Sequence, residues 1–257
     1  RPAGSFGAGS LNKGGVLLRF YGLTDIGRRR EMNQDTFCVH RFDDKQGFGL
    51  VCDGMGGQSA GNVASDMART IIADKIRKAV ETGGMDDPRS LLEAALREAN
   101  YSVYKRSMVE PEYRGMGTTA VVAFVRGETA YCAHVGDSRI YLLREGRLLQ
   151  VTRDHSLVQE LMEKGEIKPE EIRTHPNRNM ITRAVGVGLT SETDLMQIPL
   201  CAGDKLLLCS DGLTNMVGNE QIAALLGQNT GEDACRLLIE EANKAGGMDN
   251  ITAVVIE

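Results

Sequence analysis

The chain has 257 residues, 42% hydrophobic and 25% charged, a size at which one large domain folds without a disulfide or zinc staple. With 30 basic against 35 acidic residues the formal net charge is −5, aromatics make up 5% and tryptophan is absent, which argues against a nucleic-acid partner. The longest unbroken apolar run, Ala120 to Val125, is far too short to span a bilayer, so no membrane partner is expected.

Residues 1–15, rich in Gly and Ser, read as a flexible leader without signal-peptide character, and residues 16–257 as one domain. Cys38, Cys52, Cys132, Cys201, Cys209 and Cys235 form no C-x-x-C pair. Most lie in apolar runs, and they read as buried, reduced thiols of a cytoplasmic protein.

From Val16 the run VLLRFYGLT predicts a strand, followed by DTFCVHRF and GFGLVCDG as its neighbours. Val63, Ala64, Met67, Ala68 and Ile71 recur at helical spacing, as do Leu92, Ala95, Leu96, Ala99 and Val103. Each set predicts an amphipathic helix covering a sheet. Past Gly117, TTAVVAFV, TAYCAHV, RIYLLRE and RLLQVT are separated by tight turns, a pattern of antiparallel meanders. Asp154 to about Asn179 is polar and proline-containing, weakly helical at best, and reads as a lid or small insertion. DLMQIPL and KLLLCSDG return to strand. Two helices follow, the second with a capping-box-like start from Thr230 to Asp233 and a glycine stop at Gly246. ITAVVIE is the final strand.

The aspartates fall in telling places. Asp53 and Asp211 each end an apolar run and precede Gly, Asp249 sits in GGMDN before the last strand, Asp35 opens the second strand, and Asp137 lies in HVGDSR. A single Asp-Gly is more often a hairpin turn. Five aspartates at the ends of buried strands are another matter, because clustered carboxylates repel unless a cation neutralises them. All-oxygen ligand sets select hard ions, Mg²⁺ or Mn²⁺, and two such ions can activate a bridging water against phosphorus. Gly54, lacking a side chain, leaves its carbonyl free to turn toward a metal. The run Arg28, Arg29, Arg30 is either a solvated turn or, beside such a centre, a clamp on phosphate oxygens. No C-x₅-R, G-x-S-x-G, H-E-x-x-H or phosphate-loop motif is present, and His40, His134, His155 and His175 show no ligand spacing.

Eight segments in order, TDIGRRREMNQD, LVCDGMGGQSAG, GMGTTAVVAF, AHVGDSRIYLL, VTRDHSLV, ITRAVG, LLLCSDGLTNMV and GGMDNITAVVI, resemble the bacterial metal-dependent serine/threonine protein phosphatases of the PPM (PP2C) class. The resemblance implies an α+β fold, a four-layer αββα sandwich of two antiparallel sheets flanked by helix pairs, with a flap at about 155–180. It implies Mn²⁺ or Mg²⁺, two ions held tightly and a weaker third. Asp53 would bridge both tight ions, the Gly54 carbonyl would bind one, Asp211 and Asp249 would complete the site, and Asp35 would act through ordered water. Asp137 would serve the weaker ion and Arg30 the substrate phosphate. The implied reaction is hydrolysis of phosphoserine and phosphothreonine in proteins by a metal-bridging hydroxide, without a phosphoenzyme. The implied partners are phosphorylated proteins, a cognate serine/threonine kinase among them. A catalytically silent phosphoprotein-binding regulator on the same fold is the alternative, and a small-molecule phosphodiesterase a third. Three departures stand out: Gln34 where some members have Glu, Met55 where eukaryotic members carry a histidine, and Asn215 where many have a second aspartate, which weakens the case for a third ion.

Overall fold

The computed structural model describes residues 17–57, 60–84 and 87–257, so the predicted leader lies outside the described residues. One antiparallel sheet runs in the order β1 (Phe20–Asp25), β11 (Ile251–Ile256), β10 (Lys205–Cys209), β7 (Arg139–Arg144) and β8 (Arg147–Gln150). The other runs β2 (Asp35–Arg41), β3 (Gln46–Met55), β5 (Ala120–Arg126), β6 (Thr129–Val135) and β9 (Asp194–Pro199), with the short β4 (Gly117–Thr118) paired to the end of β3.

Alternation of side chains along each strand divides the core into three layers. Val121, Ala123 and Val125 of β5 meet Ile140, Leu208 and Val254 between the sheets. Their neighbours Val122 and Phe124 face the opposite way, onto α1 (Ala60–Glu81) and α2 (Pro88–Val109), where Ile72, Ile76, Leu92 and Leu96 are buried. Beyond the other sheet, Tyr141, Leu207 and Val255 pack on α5 (Asn219–Gln228) and α6 (Gly231–Lys244) through Ile222, Leu226 and Leu238. Strands covered on both faces explain why β5 reads as a continuous apolar run. The predicted four-layer α+β sandwich is the fold.

Local chemistry sets the helix ends. Asp87 caps α2 by accepting from the amides of Arg89 and Ser90 at 3.2 and 3.0 Å, with Pro88 in the first turn. Thr230 occupies the cap position of α6, but its side chain makes no capping bond, so the expected capping box does not form.

Three further expectations are corrected. The run of four strands after Gly117 is not one meander: β5 and β6 form a hairpin in one sheet, β7 and β8 in the other. The chain changes sheets at Gly136, whose φ of +114° only glycine takes easily. The polar stretch after Asp154 holds more helix than its pattern suggests, namely α3 (Leu157–Glu163), capped by Ser156, and a 3₁₀ turn over Pro169–Thr174. Cys201 is exposed, whereas the other five cysteines are buried; all six are free thiols.

Candidate active site

Asp35 and Asp53 stand directly opposite each other in the β2–β3 register. Asp211 opens the short helix α4 (Asp211–Thr214) just beyond β10, and Asp249 lies in the loop that delivers β11. Asp137 occupies the turn where the chain changes sheets, and Arg30 the β1–β2 loop. The fold brings all of them to one end of the sandwich, where Asp53 feels the charges of Asp35, Asp211, Asp137 and Asp249.

Asp53, Asp137 and Asp211 are still reached by solvent, yet burial is the largest influence on each, and it raises their carboxyls above the usual range. Neighbouring aspartates push in the same direction. Asp35 is buried outright and is raised to about 7, again mainly by burial. Its Oδ2 accepts from the hydroxyls of Ser210 and Thr252, both at 2.7 Å, which resist that rise. Its Oδ1 is buried with no partner. An orphaned carboxylate oxygen in such a place calls for a further donor, and a water ordered by a cation would supply one.

Asp249 already has partners. Arg30 Nη2 donates to its Oδ2 at 2.7 Å, and the Asn250 amide donates to its Oδ1 at 2.9 Å. The guanidinium is thus a cation standing at the carboxylate, half in solvent and free to reach outward. Hard oxygen donors, like charges held together and one orphaned oxygen fit divalent ions well. Asn215 donates its Nδ2 to Asp211 Oδ2 at 3.0 Å and supports that carboxylate.

Gly54 is glycine for a reason the sequence does not display. A Cβ there would fall 2.1 Å from the carbonyl oxygen of Gly61, in the first turn of α1. Gly212 meets Asn250 in the same way, at 2.0 Å.

The residues missed in the sequence are those that hold the aspartates. Asn250 Nδ2 donates to the carbonyls of Ile26 and Met32 at 2.9 and 3.0 Å, and its Oδ1 accepts from the Gln34 amide at 2.8 Å. One side chain therefore staples the whole arginine loop beside Asp249. Thr119 Oγ1 accepts from the Asp53 amide at 3.0 Å and shares a 2.7 Å hydrogen bond with Ser138. Asn250 follows Asp249 directly in GGMDN, which is the one signal that could have flagged it.

Among the described residues, the histidine, cysteine and acidic group whose ligand atoms converge within 4.8 Å is His134, His155 and Asp194, not three of the aspartates. Both ring nitrogens of the buried His134 are without a partner there, but the bonding of His155 works against a cation on that ring. The Gly136 N–H donates to His155 Nδ1 at 3.1 Å, so the proton of the neutral ring sits on Nε2, facing Asp194 Oδ2 at 3.2 Å. A metal on Nε2 would require a ring stripped of both protons.

The family profile for protein phosphatase 2C matches residues 26–251. The chain belongs to the protein phosphatase 2C family. The serine/threonine phosphatase stp of Listeria innocua is 40% identical over 235 residues, covering 91% of this chain and 93% of that protein. The Mycobacterium tuberculosis serine/threonine phosphatase PstP/Ppp superposes with a TM-score of 0.83 at 36% identity, covering 94% and 99% of the two chains. The catalytic domain of the phosphatase PstP in complex with two manganese ions superposes at 0.82 with 35% identity, covering 94% and 98%. This protein phosphatase 2C chain is a serine/threonine protein phosphatase.

Proposed function

We propose that the chain hydrolyses phosphoserine and phosphothreonine in proteins by direct attack of water, with Asp53, Asp211 and Asp249 as the metal carboxylates. Gly54 would lend its carbonyl, Asp35 would act through an ordered water at its orphaned Oδ1, and Asp137 would serve a weaker ion. The reading rests on one observation above all: five aspartates from distant parts of the chain meet at one end of the sandwich, with too little positive charge to balance them. Divalent ions held there, Mn²⁺ or Mg²⁺, supply an activated water and offset the phosphate charge.

The protein's own groups do the rest. Arg30, half-exposed at the rim, turns from Asp249 to take the phosphate oxygens bidentately and orient the group for in-line attack. Water oxygen bonds to phosphorus, the bond to the serine or threonine oxygen breaks, and inorganic phosphate and the free hydroxyl leave. Thiol chemistry has no place here. Cys52, next to Asp53, is fully buried, and burial pushes its thiol well above the usual range. Met55 offers no proton, so the leaving oxygen takes one from solvent.

Substrates on this reading are phosphoproteins, a cognate serine/threonine kinase among them, and the compartment is the cytoplasm, where the free thiols stay reduced. No helix among the described residues is long and apolar enough to cross a membrane. A silent phosphoprotein-binding regulator is disfavoured because Asp53, Asp211, Asp249 and Arg30 are all present. The test is release of phosphate from a phosphothreonine peptide and from a bis-ester, each with Mn²⁺ and with chelator. Peptide turnover that needs Mn²⁺ supports the reading. Preference for the bis-ester, or turnover in chelator, overturns it.

A further inference from the structure

Asp154 and His155, consecutive in VTRDHS, grip the Asp137 turn from both sides. The His155 amide donates to the Gly136 carbonyl at 2.8 Å, and the Gly136 amide returns the bond to His155 Nδ1 at 3.1 Å. On the far side of Asp137, Asp154 holds Arg139 bidentately, at 2.9 Å from Nε and 2.6 Å from Nη2. His134, fully buried, stacks on the His155 ring at 4.5 Å between centroids.

The other edge of His155 faces the flap. Thr182 donates its amide to the His155 carbonyl at 2.8 Å, and Leu157 to Met180 at 2.8 Å, closing the base of the 156–182 excursion. Arg183, the next residue, donates to Asp194 Oδ1 at 3.1 Å, while His155 Nε2 faces Asp194 Oδ2. A single buried imidazole therefore has one nitrogen on the Asp137 turn and the other on the carboxylate that anchors the flap stem. Burial pulls its pKa down, so it serves as a neutral connector.

We propose that His155 is a positioning residue that couples the flap to the cation at Asp137, holding the 136–138 turn through Nδ1 and sensing the flap stem through Nε2. The inference rests on the reading of Asp137 as a ligand of the weaker ion. In metalloenzymes, residues that orient a ligand without touching the ion set its affinity strongly.

Two substitutions separate the two edges. His155→Asn keeps an acceptor near the Nδ1 position and loses the donor to Asp194; His155→Gln keeps a donor near Nε2 and loses the acceptor. Amide hydrogen exchange on the metal-free protein reads the turn directly, and calorimetric titration with Mn²⁺ alone reads the sites. His155→Gln should speed exchange at 136–138 and weaken the weaker Mn²⁺ site about 10-fold or more, leaving the tight sites alone. His155→Asn should leave the turn near wild type and speed exchange at 180–183 instead. In an Asp137→Ala background, His155→Gln should shift the Mn²⁺ titration no further.

If Asn and Gln behave alike, or the Gln effect persists without Asp137, the coupling is wrong. If Asp137→Ala leaves the titration unchanged, the Asp137 assignment falls and the coupling with it. If Asp137→Ala shifts it and His155→Gln does not, the coupling alone falls. Should both His155 variants fail to fold, Asp194→Ala, at a partly exposed position, takes their place, since it removes the Nε2 partner and leaves the Nδ1 bond to Gly136: faster exchange at 180–183 with the 136–138 turn near wild type supports the two-edge assignment, and an unchanged stem or a turn that loosens as much as the stem refutes it.

Discussion

Asp35 and Asp53 are cross-strand partners, two carboxylates set face to face at the end of the β2–β3 ladder. Like charges so placed oppose folding. The arrangement persists because two hydroxyls hold Asp35 from behind and because a cation can turn the repulsion into attraction.

That relationship has a pH signature. In the folded chain Asp35, Asp53 and Asp211 keep their protons to higher pH than when unfolded, Asp35 to about 7. The folded state then binds more protons between about pH 4 and the folded values, so the contribution of these groups to stability falls as pH rises through that window. Metal-free protein should lose melting temperature between about pH 5 and about pH 7.5, and saturating Mn²⁺ should raise it more at the higher pH. A gain from Mn²⁺ that shrinks as pH rises would contradict the carboxylate assignment.

Asp53→Ala should abolish turnover more completely than any other single change, since Asp53 is the carboxylate that feels all four others. Metal binding should fail with it, while the metal-free protein melts no lower than wild type because repulsion is relieved. Calorimetric titration and a melting curve on the same sample decide this, and unchanged metal affinity would defeat it.

Arg30→Ala should raise KM for phosphopeptide by the worth of a hydrogen bond to a charged group, about 1.5–3 kcal/mol. Metal should bind no more weakly, because the substitution also releases Asp249 from its 2.7 Å ion pair. Steady-state kinetics across Mn²⁺ concentrations would expose a misassignment as a shift in metal dependence at constant KM.

Asn250→Ala removes three hydrogen bonds that pin the arginine loop. At about 1 kcal/mol each the loss should be about 2–4 kcal/mol in urea unfolding, accompanied by a higher KM as Arg30 loses its fixed base. A stable variant with wild-type KM would show that the loop is held elsewhere.

Gly54→Ala drives a methyl into the Gly61 carbonyl and should cost about 3 kcal/mol or more, beyond ordinary overpacking. Gly227→Ala, in the last turn of α5 with open space around it, should instead stabilise by about 0.4–1 kcal/mol, chiefly by restricting the unfolded chain. Urea unfolding of the pair separates the steric argument from a general intolerance of substitution.

Strands and helices were legible because their periods are local. Ala120 to Val125 announces a strand buried on both faces, and the Leu92 to Val103 spacing announces a helix. The change of sheet at Gly136 was not legible, since a Gly-Asp-Ser turn inside a hairpin and one between sheets look alike in sequence. The same limit governs the site. The aspartates show themselves by ending apolar runs, but Ser210 and Thr252 are ordinary strand-end residues until the fold brings both hydroxyls to Asp35. His155 shows no ligand spacing, and nothing in VTRDHS reveals that its two nitrogens face different parts of the molecule.

The place of β11 has a consequence for how the enzyme comes into being. Phe20 pairs with Ile256 and Leu206 pairs with the same residue from the other side, so β1 has no neighbour in its sheet until the last strand arrives. A chain emerging residue by residue must leave its first strand waiting through more than two hundred others. Asp249 comes in with that same strand, so on the proposed function the last metal carboxylate and the sheet are completed in one step. On that reading every partly made chain is silent as well as open-edged, and activity waits on closure of the sheet. Pairings so distant along the chain also make that closure slow, which favours a folding reaction measured in milliseconds to seconds over one in microseconds.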